Sequence, residues 1–258
     1  MYKAIASDID GTLLQNGSRV LREDIIPAIQ DYIERGGVFL PASGRQQRNL
    51  RMMFAGVEND ISYIAENGCL IYHEGKLIHY ETMARDSGVE IARRILSIPG
   101  ARLAISGVEC VYVMRSDPGF FDYIENHVKT KAVYLDDPSD MPEDFFKISA
   151  YSKEGVEIFE NRLKEAFSKD FNVVTSGLCW TDIMPKQVNK GSALKVFSEK
   201  TGIKLEDFVA LGDHYNDLEM MEIAGHPACV SNAVDEIKAL CEKEMECGAD
   251  LLLYYLRG

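Results

Sequence analysis

The chain has 258 residues, enough for one large α/β domain or two modest ones. Hydrophobic residues make up 46% and charged residues 27%, an ordinary balance for a globular protein, and no apolar run approaches the ~20 residues of a membrane span. A net charge of −13 with no basic tract argues against nucleic-acid binding, which needs clustered lysine and arginine. It leaves room for a small phosphorylated substrate, whose site needs only a few local positive groups. The N-terminus shows no basic-then-apolar leader, so the cytoplasm is the expected compartment. Six scattered cysteines, with no C-x-x-C and no close histidine, argue against a structural zinc site and read as reduced, mostly buried thiols.

In chain order, the apolar run 4–9 predicts a buried strand that opens into an Asp-Gly-Thr turn. Side chains two apart on a strand share a face, so Asp8 and Asp10 are expected to point at one spot at its C-terminal end. Two close carboxylates repel and lose hydration, which calls for a proton or a cation between them. The same run also reads as an Asp-Gly turn capping the next helix. Residues 22–35 place Ile25, Ile26, Ile29 and Ile33 at helical spacing before Gly36-Gly37, and 38–42 form the next strand. That strand ends in Ser43-Gly44-Arg45, where a hydroxyl and backbone N–H groups can hold a phosphate oxygen, or where Ser43 simply caps the helix over 46–54. A strand at 62–65 and a hairpin of 69–72 with 77–80 follow.

From about residue 83 the pattern changes. Helices over 89–96 and 154–167 alternate with short strands at 101–106, 110–115, 145–150 and 172–176. Residues 83–184 therefore read as an inserted α+β domain, and 1–82 with 185–258 as a doubly wound, Rossmann-like core around a parallel sheet. Inside the insert, Tyr112, Arg115 and Lys147 are expected at surface or packing positions. Beyond it, Lys190 opens a helix over 190–201, where its charge opposes the helix dipole; a functional charge and an ordinary surface lysine both fit. The strand 208–211 ends in Gly212-Asp213, and Asp217 follows four positions on, where a helix over 217–224 begins. If this strand neighbours the first, Asp213 lies beside Asp8. Such hard oxygen ligands suit magnesium rather than zinc, although Asp217 also reads as a helix cap.

The order Asp8-x-Asp10-Gly11-Thr12, then Ser43-Gly44-Arg45, then Lys190-Gly191, then Gly212-Asp213-x-x-Asn216-Asp217 resembles the haloacid dehalogenase superfamily. The insert resembles the type IIB (C2B) cap of its Cof-like phosphatases, as do Asn67-Gly68 and Val230-Ser231-Asn232-Ala233. The resemblance implies a phosphatase acting on a small phosphorylated metabolite, a sugar phosphate for example, through an aspartyl-phosphate. Asp8 would be the nucleophile and Asp10 the general acid and base. Lys190 would neutralise Asp8 and the transferring group. Thr12, Ser43 and Gly44 would meet phosphate oxygens, and Asn216 would position Lys190 or the phosphate. Mg2+ would sit on the Asp8 and Asp213 carboxylates and the Asp10 carbonyl, with Asp217 behind it or on it. A phosphosugar mutase and a non-catalytic phosphometabolite-binding regulator are the alternatives; monomer and homodimer are both compatible with the chain.

Overall fold

A computed structural model describes residues 2–176 and 178–258. The first strand, β1 (Ala4–Ser7), is four small or apolar residues with no solvent exposure. It pairs in parallel with β2 (Val38–Pro41), and α1 (Ile25–Glu34) connects them with Ile25, Ile29 and Tyr32 as its buried stripe. Next come α2 (Gln47–Met53) and a three-stranded sheet of β3 (Tyr63–Ala65), β4 (Leu70–His73) and β5 (Lys76–Tyr80).

The chain divides into two compact units, one comprising Met1–His79 with Asn189–Gly258, the other Tyr80–Val188. The second unit is built on a six-stranded sheet. Its elements are α3 (Arg85–Leu96), β6 (Arg102–Ser106), β7 (Val111–Met114), α4 (Pro118–Tyr123), β8 (Ala132–Leu135), β9 (Lys147–Tyr151), α5 (Glu160–Phe167), β10 (Phe171–Ser176) and β11 (Trp180–Pro185). The strand order is β10-β11-β9-β6-β7-β8, antiparallel except for β7 with β8. Alternation along the strands separates two apolar layers. Leu103, Ile105, Ile148 and Ala150 pack with Ile91, Ile95 and Leu163 from α3 and α5. Ala104, Val113 and Tyr151 pack with Phe120 and Ile124, where α4 runs into a π-helical turn.

Of the surface and packing positions expected for it, Lys147 takes a packed one: it is 7% exposed and sits 3.4 Å from the Asp182 carboxylate, which also accepts a hydrogen bond from Ser149 Oγ. Arg115, by contrast, is an exposed partner of Asp136. Tyr112 is buried, with its hydroxyl on Glu143.

The returning chain supplies α6 (Lys190–Thr201), β12 (Phe208–Gly212), α7 (Leu218–Ile223), β13 (His226–Val230), α8 (Asp235–Lys238), β14 (Lys243–Met245) and α9 (Gly248–Arg257). The five-stranded sheet has the order β14-β13-β12-β1-β2, and all its pairs are parallel. Connections leave β1 and β12 in opposite directions, so a crevice opens between their C-terminal ends, the place where open α/β sheets take ligands. No helix among the described residues is long and apolar enough to cross a membrane.

Candidate active site

Strand register brings the first and last motifs together. Ser7 pairs with Leu211, and the Asp8 N–H donates to the Leu211 carbonyl at 2.8 Å, so Asp8 and Asp213 leave adjacent strand tips. Lys190 is the first residue of α6. A reciprocal cap fixes the helix start there: Ser192 N donates to Asn189 Oδ1 at 2.7 Å, and Asn189 N to Ser192 Oγ at 3.0 Å. The lysine side chain is wholly buried. Its Nζ lies 2.5 Å from both Asp8 Oδ1 and Asp217 Oδ1. The misfit of a lysine in a first helical turn is thus offset by two carboxylates.

Both Asp217 oxygens accept from the protein. Besides Lys190, its Oδ2 accepts from the N–H groups of Asp213 (2.9 Å) and His214 (3.2 Å). It orients the ammonium and the turn after β12 together. Asn216, expected to position Lys190 or the phosphate, is half-buried and makes no hydrogen bond to Lys190, which Asp217 holds instead. Thr12 also differs from expectation. It is fully buried and donates to Asp213 Oδ1 at 3.0 Å, so its hydroxyl holds a carboxylate. Ser43 is 1% exposed, and its Oγ accepts from Arg45 N at 3.2 Å, which leaves the hydroxyl proton for a ligand oxygen. Gly44 packs against Asn67, whose amide would lie 3.0 Å from any Cβ added there.

The shared face expected for Asp8 and Asp10 is not found. Pairing to the neighbouring strands ends at Ser7, and the chain then turns: Leu14 N bonds Ile9 O, and Gly11 N bonds Leu14 O. Asp8 stays inside at 4% exposure, whereas the Asp10 side chain is 54% exposed. Arg45 grips both Asp10 carboxylate oxygens, at 2.7 and 2.5 Å. Nothing in the Ser43-Gly44-Arg45 run itself signals this role for Arg45, whose partner lies 35 residues away.

Gly11 makes the turn possible. Its φ is +97°, and a Cβ there would lie 2.1 Å from Asp213 Oδ2. Gly11→Ala is expected to push Asp213 aside, costing about 1–3 kcal/mol. Thermal denaturation and Mg2+ titration calorimetry check this; unchanged values in both would refute it.

Three carboxylates therefore share one ammonium. Burial, with Asp217 adding repulsion, raises the Asp8 pKa well above the usual carboxylate range despite Lys190, and the same two causes raise Asp213. Burial opposes the Lys190 charge, but Asp217 and Asp8 more than offset that and push its pKa up. The site carries surplus negative charge around a fixed cation. Asp8, Asp213 and Asp217 each offer an oxygen, all within 4.8 Å of one another. Asp8 Oδ2 is buried with no hydrogen-bond partner, an orphan that a cation would satisfy. Hard, anionic oxygens fit Mg2+.

A family model described as haloacid dehalogenase-like hydrolase matches residues 5–250. The chain is 26% identical over 238 residues to the 5-amino-6-(5-phospho-D-ribitylamino)uracil phosphatase YbjI of Escherichia coli, covering 92% of this chain and 88% of that one. It is 24% identical over 274 residues to an HMP-PP phosphatase of Serratia proteamaculans, covering 100% and 97%. In fold it is similar to the solved subclass IIB sugar phosphatase BT4131, with a TM-score of 0.79 at 18% identity and coverage of 99% and 98%.

Proposed function

Since this chain belongs to the haloacid dehalogenase-like hydrolase family, we propose that it is a Mg2+-dependent phosphatase of a small phosphorylated metabolite of the sugar-phosphate kind, working through an aspartyl-phosphate. The observation that carries this reading is Asp8: buried, tied to Lys190 through one oxygen and unpartnered at the other. A structural aspartate has no need of an orphan oxygen; a nucleophile does.

Asp8 attacks phosphorus, a P–O bond to Asp8 forms, and the bond to the leaving alkoxide breaks. Lys190 keeps Asp8 in place and offsets the repulsion between two anions. Asp10 protonates the departing alkoxide, then takes a proton from the water that attacks the phospho-aspartate. Arg45 now holds both Asp10 oxygens, so neither can carry a proton to the leaving group until that pair opens. An anionic substrate competing for the guanidinium would open it. Ser43 and the backbone around Gly44 orient the phosphate oxygens. Asp217 positions Lys190, and Thr12 positions Asp213.

Mg2+ would be held by Asp8 and Asp213 with the Asp10 carbonyl, and when bound supplies charge neutralisation at the phosphate. The segment 83–184 would serve as the cap that selects the leaving group.

The test is phosphate release from a panel of sugar phosphates and other phosphometabolites, with and without Mg2+, beside Asp8→Asn. Mg2+-dependent release lost in the variant supports the reading. Isomerised sugar phosphate without release assigns a mutase, and binding without turnover a regulator.

A second expectation concerns stability. Adding Mg2+ to chelator-treated protein raises Tm, by the equivalent of about 2.7 kcal/mol at a hundredfold excess over Kd. Asp8 and Asp213 hold protons more tightly folded than unfolded, so the metal-free protein loses stability as pH rises through their raised values. The Mg2+ gain grows over the same span. Scanning calorimetry across pH reads both; a gain that shrinks with rising pH refutes this.

A further inference from the structure

We propose that Asn232, aimed by Gln15, is a positioning residue for the Asp10 carbonyl, the main-chain oxygen of the Mg2+ site. This role rests on the Mg2+-dependent phosphatase reading; the hydrogen bonds around Gly11 that carry it do not.

Gly11 is the soft point of the turn after β1. At a φ of +97° it has no side chain to lock it, and the peptide planes on either side can swing. The plane before it carries the Asp10 carbonyl and the Gly11 N–H, which point in opposite directions across a trans peptide. Whatever holds that N–H therefore aims the Asp10 oxygen. The N–H donates to the Leu14 carbonyl at 2.9 Å, a bond inside the turn that moves with it. The plane after Gly11 is held from outside. Its carbonyl accepts from Asn232 Nδ2 at 3.1 Å, across 221 residues of chain. With both planes pinned, the Asp10 carbonyl keeps one direction.

The Asn232 amide is itself aimed. Its Oδ1 accepts from Gln15 Nε2 at 2.6 Å, and the same nitrogen donates to the Glu246 carbonyl at 3.1 Å. Gln15 Oε1 accepts from Gly248 N at 3.0 Å, where α9 begins. The bonds run in one sense, from Gly248 to Gln15 to Asn232 to Gly11, so each amide fixes the next. The supports are anchored in turn. Ser231 N donates to the Met245 carbonyl at 3.0 Å, and Val234 N to the Asp213 carbonyl at 3.0 Å, so the loop after β13 touches both strand tips of the site. A Cβ on Gly248 would lie 1.9 Å from the Thr12 carbonyl oxygen, so the start of α9 rests directly on the turn.

Asn232 is exposed and Gln15 half-buried, and neither belongs to an apolar cluster. Removing their amides leaves the core intact, which separates positioning from folding. Hydrogen bonds behind metal ligands commonly change affinity 10- to 100-fold, and a contact that acts through one peptide plane belongs at the low end, about tenfold.

The experiment compares chelator-treated, full-length wild type, Asn232→Ala, Gln15→Ala and the double variant. Calorimetric titration reads the Mg2+ Kd, NMR hydrogen exchange reads the Gly11 amide without metal, and thermal denaturation reads metal-free Tm. Asn232→Ala is expected to weaken Mg2+ binding about tenfold and to speed Gly11 exchange, with metal-free Tm within about 2 °C of wild type. Gln15→Ala should weaken binding a few-fold, and the double variant no more than Asn232→Ala alone, because the two amides act as one chain. Unchanged Mg2+ affinity in Asn232→Ala, with or without a fall in Tm, overturns the positioning role. Losses that simply add overturn the chain through Gln15. Wild type that takes up Mg2+ and releases no phosphate from any substrate overturns the phosphatase reading, and the affinity comparison still stands.

Discussion

Lys190→Met is expected to abolish turnover and to destabilise the fold by about 3–5 kcal/mol at neutral pH, the usual cost of breaking a buried ion pair from one side. Lys190 has no solvent exposure, and among the described residues its ammonium is the only cation paired with Asp8 and Asp217. Methionine fills most of the volume, so the loss is electrostatic rather than a cavity. Three carboxylates would remain with no counter-charge, and the cheapest relief is protonation. The penalty should therefore shrink as pH falls. Urea denaturation at acid and neutral pH measures this, and a variant as stable as wild type at neutral pH would sink the account. Turnover should drop by about 10³-fold or more, since the group that offsets charge at the reacting centre is gone.

Asp8→Asn should have the opposite effect on stability. The change removes one of three crowded negative charges, relieves the burial cost that raises the Asp8 pKa, and keeps an oxygen for Lys190. Stability is expected to hold or rise within about 1 kcal/mol, while turnover falls by about 10⁴-fold or more as the nucleophile disappears. The pair of variants separates charge balance from chemistry. Were Asp8→Asn as destabilised as Lys190→Met, Asp8 would be a stabilising partner of Lys190 and the idea of surplus negative charge would be wrong.

Much of the core was legible because its signals are local. Small and apolar runs before Asp8 and Gly212 produced β1 and β12, and Asn189 with Ser192 closed a cap that starts α6 at Lys190. What escaped depends on neighbours. The strand β13 begins His226-Pro227, and a proline argues against a strand inside a sheet, yet here it sits near the strand's start and only its carbonyl is used, by Glu242 N. The helix α4 and its π-helical turn follow Asp117-Pro118, an ordinary turn signal read locally. In the candidate site, period-two alternation was extended two residues too far past Ser7, which set Asp10 on the wrong side. The partnership of Asp10 with Arg45 joins residues 35 apart in sequence, and no local pattern reports it.

The site also has a history in time. Asp8 meets Lys190 across 182 residues of chain, Thr12 meets Asp213 across 201, and β1 takes β12 as its neighbour, with Ala4 opposite Phe208. A ribosome delivers Asp8 first and its counter-ion only after the whole of Tyr80–Val188 has been made. Until Phe208–Gly212 emerges, β1 keeps one bare edge, the kind of long-range parallel pairing that closes slowly and invites aggregation. Competence is thus acquired in a single late event. A stalled or prematurely terminated chain would display the Asp8-x-Asp10 motif in full and have no activity.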